Sequence, residues 1–219
     1  MENTVFDRRE TTDKQIGSQL YNLIIGLTLL WGFAINYVMV QTIDPEIILS
    51  LHPLVFFGGY FVCCFLGIAM FSKSDNPVIS FIGYNLVVIP FGLVINVVVS
   101  GYDPMLVVEA MRITTLVTLG MMILGTLFPA FFIGIGRALT IALLVVIVVE
   151  LVELFIFKVH HSIIDWAVAV IFCGYIGYDW GRANMIPKTV DNAIDSAAAL
   201  YMDIINLFLR ILRILGSRR

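Results

Sequence analysis

Apolar runs of about twenty residues recur along this chain, each closed by a short polar stretch rich in Pro, Asp or Gly, and a run of that length is what a helix needs to cross about 30 Å of hydrocarbon. Read on that length, the runs fall at 19–41, 53–72, 78–100, 106–133, 138–158, 163–186 and 192–215. The breaks carry turn chemistry: "TIDPE" and "LHP", "SKSDNP", "SGYDP", "GIGRA" and "KVHHS" place Pro, Gly or small polar residues where a helix must stop or start. Connections this short make neighbouring helices antiparallel and leave no room for a second domain. The expected fold is an all-α integral membrane protein, a single domain over 1–219 with seven transmembrane helices, the polar residues 1–18 forming a cytoplasmic N-terminal segment. Composition agrees, since 60% hydrophobic and 13% charged residues are more apolar surface than a soluble domain of this size needs.

Several function classes are excluded on the same grounds. The first eighteen residues lack the apolar core and small-residue cleavage site of a secretory signal, so the first helix is expected to direct insertion. The net charge of −3 comes with no basic stripe, which argues against a nucleic-acid partner. Cys63, Cys64 and Cys173 all sit in apolar runs and read as small hydrophobes, not as disulfide or redox residues. His160 and His161 are neighbours and His52 is remote, so no zinc-site spacing occurs and no cofactor is expected. An intramembrane aspartyl protease would need a second Asp after Gly-x-Gly, which is missing, and a retinal protein would need a Lys in the last helix, which has none. The expectation is a protein that is not an enzyme.

Lysine and arginine counts in the loops orient the bundle with its N-terminus inside. Arg8, Arg9, Lys14, Lys73, Arg137, Arg182 and Lys188 fall on the inner side, Arg112 and Lys158 on the outer. The last run spoils the rule, because a full crossing carries Arg210, Arg213, Arg218 and Arg219 outward; either it crosses against the rule or it re-enters. Asp44, Glu46, Asp103, Glu109, Glu150, Glu153 and Asp165 map to the outer side, as a solvated rim or as a vestibule that concentrates cations. Glu150 and Glu153, three apart inside "VVIVVELVELFIF", favour an outer acidic approach to a pore.

Two carboxylates carry the functional reading. Asp179 lies twelve residues before Asp191 and Asp203 twelve after it, so a hairpin turn at "MIPKTVD" puts both at matched depth, on the order of 15 Å from the turn. Asp203 also belongs to a polar seam, Asp195, Ala199, Asp203, Asn206, Arg210 and Arg213, spaced by three and four. A structural role alone would pair each acid with a cation such as Lys73 or Arg210. Two acids close together in low dielectric instead lose their protons in separate steps, which makes a latch that responds to pH. Calcium suits the ionised pair, because hard divalent ions take carboxylate oxygens, so Asp179 and Asp203 are also candidate calcium ligands. Tyr178 and Tyr201 flank the acids as candidate donors. Gly58, Gly59, Gly67, Gly120, Gly125, Gly134 and Gly136 are expected at helix contacts, Pro90 and Pro129 to kink the third and fourth helices, and Asn22, Asn36, Asn85 and Asn96 to hydrogen-bond between helices.

The stretch "GYDW", then about twenty residues, then "LYMDIINLFLRILRILG" resembles the C-terminal signature of the Bax inhibitor-1, or transmembrane Bax inhibitor motif, family in its bacterial branch. The resemblance implies six outer helices around a central C-terminal helix and a pH-sensitive calcium leak gated by a diaspartyl pair, here Asp179 and Asp203. It also implies an Arg near the inner end of the second helix that bridges the pair. This chain departs there, since "GIAMFSKSDNP" has only Lys73. The expected function is therefore a pH-sensitive calcium leak channel in a bacterial plasma membrane, its partners being calcium, protons and the bilayer. A proton-coupled cation exchanger and a non-transporting regulatory scaffold are the alternatives.

Overall fold

The computed structural model describes residues 14–157 and 162–217. The expectations for Arg8, Arg9, Lys158, His160, His161, Arg218 and Arg219 lie outside the described residues. Within them the chain forms α1 (Ser18–Thr42), α2 (Pro45–Leu49), α3 (Pro53–Lys73), α4 (Pro77–Ser100), α5 (Pro104–Leu127), α6 (Pro129–Val152), α7 (Ser162–Ala183) and α8 (Val190–Gly216). A π-helical turn, Glu153–Phe157, continues α6.

One piece of local chemistry starts four of these helices. Asp44, His52, Asn76 and Asp103 each precede a proline, and each side chain accepts the backbone N–H two residues on: Glu46 at 2.9 Å, Leu54 at 3.3 Å, Val78 at 2.9 Å and Met105 at 2.7 Å. Proline costs nothing at the first helical position, where its missing N–H has no partner to lose, and the cap satisfies a donor that the helix leaves orphaned. Two acids of the expected outer ring, Asp44 and Asp103, are thus helix caps.

The fourth and fifth runs divide elsewhere than expected. Instead of one segment over 106–133, α5 ends at Leu127, Phe128 intervenes and Pro129 opens α6, so "GIGRA" lies inside α6 and Pro129 kinks nothing. Proline in a helix interior clashes with the carbonyl four residues back, whereas in the first turn it is tolerated. The apolar Phe128 hides that break from a hydropathy reading. Pro90 does sit inside α4, buried. The five-residue α2 is too short to register as a run.

Among the described residues six helices are long and apolar enough to cross a membrane: α1, α3, α4, α5, α6 with its π-helical turn, and α7. The chain is an integral membrane protein. The last helix has 27 residues, about 40 Å at 1.5 Å per residue, and carries Asp191, Asp195, Asp203, Arg210 and Arg213, so it has the length of a seventh crossing without the composition. Only Val190 and Arg213 of α8 are exposed, whereas α6 leaves most of its apolar residues exposed, as a lipid-facing helix must.

Two compact units divide the chain. One runs to Gly101 and takes Met185–Tyr201; the other is Tyr102–Asn184 with the residues from Met202 on. In the first, α4 packs against α1, α2 and α3. Its backbone touches α3 at Gly67 and Gly83, where an added Cβ would stand 2.5 Å and 2.7 Å from the other glycine's carbonyl oxygen. Asparagines supply the polar ties between α1 and its partners: Trp31 donates to Asn85 at 3.0 Å, Asn96 donates to the Met39 and Ile43 carbonyls, and Asn36 donates to Tyr201. Asn22 is exposed and takes no part in these ties. In the second unit α7 packs against α5 and α6, with Gly125 so close to Gly177 that a Cβ would meet its oxygen at 2.6 Å. Of the seven glycines expected at contacts, Gly67, Gly125 and Gly136 are there, while Gly58, Gly59, Gly120 and Gly134 face open space.

Candidate functional site

The second unit gathers most of the charge that the membrane-spanning runs contain. Its platform is α7, whose Gly174, Gly177 and Gly181 recur at three and four and clear one face of side chains. Leu139 of α6 seats on Gly174, Phe132 on Gly177, and Gly125 of α5 approaches both Gly177 and Gly181. The next residue after Gly177, Tyr178, lies against Gly136 of α6. This packing fixes the turn of α7 that carries Asp179.

Asp179 of α7 and Asp203 of α8 lie within electrostatic reach of each other, and Arg182 is a cation whose charge acts on both. Its guanidinium stands 3.7 Å from Asp179 Oδ1, with side-chain exposures of 19% and 12%. Asp203 is 7% exposed, and its Oδ2 accepts no hydrogen bond among the described residues. Tyr175, one turn before Asp179, donates its hydroxyl to Thr140 Oγ1 of α6 at 3.2 Å and lies within reach of both carboxyl charges. Two carboxyl groups so placed can share one proton or hold one cation between them.

A second cluster lies two turns further along α8. Arg210 forks onto Glu150 of α6, one nitrogen bonded to Oε1 and the other to Oε2 at 2.9 Å, and also reaches Asp165 of α7 at 3.0 Å. Arg213 adds a contact to Asp165 at 3.3 Å, and Asp165 is 1% exposed. Two guanidinium groups and two carboxylates thus tie three helices together in a bidentate geometry.

Several expected roles are corrected by these contacts. Arg210 pairs with Glu150 and Asp165 through both terminal nitrogens of its guanidinium, not with the aspartates. Glu150 and Asp165 are the acids of that cluster, not members of an open acidic rim: Asp165 is buried and needs a paired charge, and Glu150 is held by the Arg210 fork. Glu153, 8% exposed, starts the π-helical turn. Lys73 is the exposed last residue of α3 in the first unit, and within the second unit the cation paired with Asp179 is Arg182. Tyr178 accepts from Arg182 at 3.3 Å, and Tyr201 belongs to the first unit with Asn36; neither donates to the acids. The polar seam is not one network. Asp195 is fully buried in the first unit, while Asn206 in the second turns back on its own helix, donating to the Met202 carbonyl at 2.8 Å.

The start of α8 holds a further polar group in the first unit. Ser80 donates to Asp191 at 2.7 Å, and Tyr21 meets Ser196 at 3.1 Å and the Asn192 carbonyl at 3.3 Å. Ahead of α8, the chain before α1 is tied to the connection: Ile16 donates to the Lys188 carbonyl at 2.8 Å and Lys188 to Ser18 at 2.6 Å.

A family model described as inhibitor of apoptosis-promoting Bax1 matches residues 14–219. This chain belongs to the Bax inhibitor family. An uncharacterised protein of Helicobacter pylori is 39% identical over 84 residues, 38% of this chain and 36% of that protein. Protein lifeguard 4 of Mus musculus is 32% identical over 126 residues, 57% of this chain and 52% of its own. An uncharacterised membrane protein of Streptococcus pyogenes is 23% identical over 225 residues, 98% of each chain. The matches to the Helicobacter and mouse relatives therefore span about a third and about half of those proteins' lengths.

Within this Bax inhibitor chain, Arg182 is the site residue that a sequence reading undervalues. Loop counting makes it an inner-side charge, yet its spacing of three from Asp179 is the interval at which helical side chains meet. Asp165 gave no comparable signal, because its partners come from a helix forty-five residues away in sequence.

Proposed function

We propose that the protein is a pH-sensitive cation leak, with calcium the favoured ion and Asp179 and Asp203 the gate. What carries the reading is the adjacency of two carboxyl groups, one from α7 and one from α8, among helices otherwise fit for lipid. Charge in such surroundings is expensive and marks an ion path or proton relay by default. With a proton between them the acids attract and hold α8 against α7. Without it they repel, and the gap opens or a cation fills it. Among the described residues no group of three or more His, Cys, Asp and Glu side chains gathers, so calcium at this pair would keep water or carbonyl oxygens for the rest of its six to eight ligands. A shell that incomplete favours passage over storage. The reading assigns no catalytic role, places the protein in a bacterial plasma membrane and sets its N-terminus on the cytoplasmic side, as the Lys and Arg distribution supports.

Calcium flux into liposomes, measured across a pH series, tests it. The parent protein should pass calcium down its gradient with a rate that depends on pH, and Asp203→Asn should pass it with little such dependence. Unchanged pH dependence in Asp203→Asn would remove these acids as the gate. Stoichiometric counter-movement of protons would make the protein an exchanger, and absence of any flux would leave it a scaffold.

A further inference from the structure

We infer that Arg182 is a tethered cation occupying the Asp179–Asp203 site, so that a mobile ion must displace it to bind; this rests on the reading of those acids as a cation site. Two side chains, Asp179 and Tyr178, hold the guanidinium in place. It stands 3.7 Å from Asp179 Oδ1, donates to the Tyr178 hydroxyl at 3.3 Å, and lies 5.3 Å from the centre of the Tyr178 ring, a distance at which a cation is attracted to an aromatic face. The ring is itself seated on Gly136, where a Cβ would not fit. Asp203 shares the same neighbour but leaves Oδ2 without a hydrogen bond among the described residues.

Placement on α7 gives Arg182 a property that a cation from another helix lacks. It stays with Asp179 whatever α8 does, so its local concentration at that acid never falls, and a free ion always competes with it. The competition sorts ions by charge. A monovalent ion gains from Asp179 no more than the guanidinium already does, and must also break that pair. A divalent ion gains both carboxylates at once, because the unfilled side of Asp203 then becomes a ligand. Arg182 thereby lowers affinity for every cation and penalises monovalent ones most.

Equilibrium binding of radiolabelled calcium to the protein in phosphatidylcholine nanodiscs, with and without added sodium, tests this. Arg182→Gln should bind calcium about tenfold more tightly and lose part of its discrimination against sodium. Arg182→Lys should bind like the parent, since the tethered charge remains, and adding Asp179→Asn to Arg182→Gln should abolish the gain. Tyr178→Phe, which keeps the ring and removes the hydroxyl that holds the guanidinium, should give a smaller gain in the same direction, and it decides the question alone should Arg182→Gln not fold. Calcium binding that Arg182→Gln leaves no tighter, including no binding by either protein, overturns the inference, as does an equal gain from Arg182→Lys. The pH-dependent flux of the parent is read separately, so the gate can survive the loss of the tethered cation.

Discussion

Gly67 and Gly83 leave no room for a methyl group between α3 and α4, because a Cβ on either would press on the other's carbonyl oxygen. Backbone cannot yield as a side chain can, so Gly67→Ala should destabilise by about 1–3 kcal/mol, the usual cost of overpacking. Gly59 in the same helix faces open space, and Gly59→Ala should be neutral or stabilising by up to about 1 kcal/mol, since alanine is the better helix former. Thermal unfolding in detergent reads the difference, and equal effects at the two positions would refute the contact. The residue type was visible in the sequence; which face each glycine occupies was not, because α3 is apolar all round and its pattern points in no direction. Arg182 is the opposite case. Its meeting with Asp179 is local to one helix and follows from spacing alone, whereas its reach to Asp203 depends on how α8 is laid down.

Elements α6, α7 and α8 are joined where Arg210 forks onto Glu150 and touches Asp165. Removing Arg210 from this partly buried cluster strips the buried Asp165 of one of its charge partners, and Arg210→Ala should cost about 3 kcal/mol, the low end for a buried pair. Replacing Arg210 and Glu150 together by Met should cost less than the sum of the two single changes, and a double-mutant cycle on denaturation midpoints measures that coupling; additive losses would mean that the fork contributes nothing as a pair. Its α6 member, Glu150, lies just before the π-helical turn at Glu153–Phe157, a departure from α-geometry that recurs at functional sites. Reading Glu150 and Glu153 as an open acidic approach failed for an identifiable reason. Spacing within one segment says nothing about a guanidinium sixty residues away.

At the scale of the molecule, the charges of the expected outer ring divide by what they touch. Asp44 and Asp103 accept backbone N–H groups at the starts of α2 and α5, while Glu150 and Asp165 are bound by arginine. A vestibule made of such acids would lose conductance when they are neutralised. Asparagine caps a helix about as well as aspartate, so Asp44→Asn with Asp103→Asn should leave stability and calcium flux within about 0.5 kcal/mol and twofold of the parent. A large fall in flux at low ionic strength, restored by salt, would return these acids to a cation-concentrating role.

Sequence alone determined the all-helical membrane character, the starts of most helices and the residues worth suspecting, because these depend on runs and spacings within one segment. Bilayer thickness sets the run length, and a polar side chain followed by proline sets where a helix begins, without reference to anything distant. Tertiary structure decided the partners: Arg210 with Glu150 and Asp165, Asp191 with Ser80, Tyr201 with Asn36. Those pairings turn on which helix faces which, and a charge in an apolar interior must find its opposite wherever the packing delivers one, at any separation along the chain.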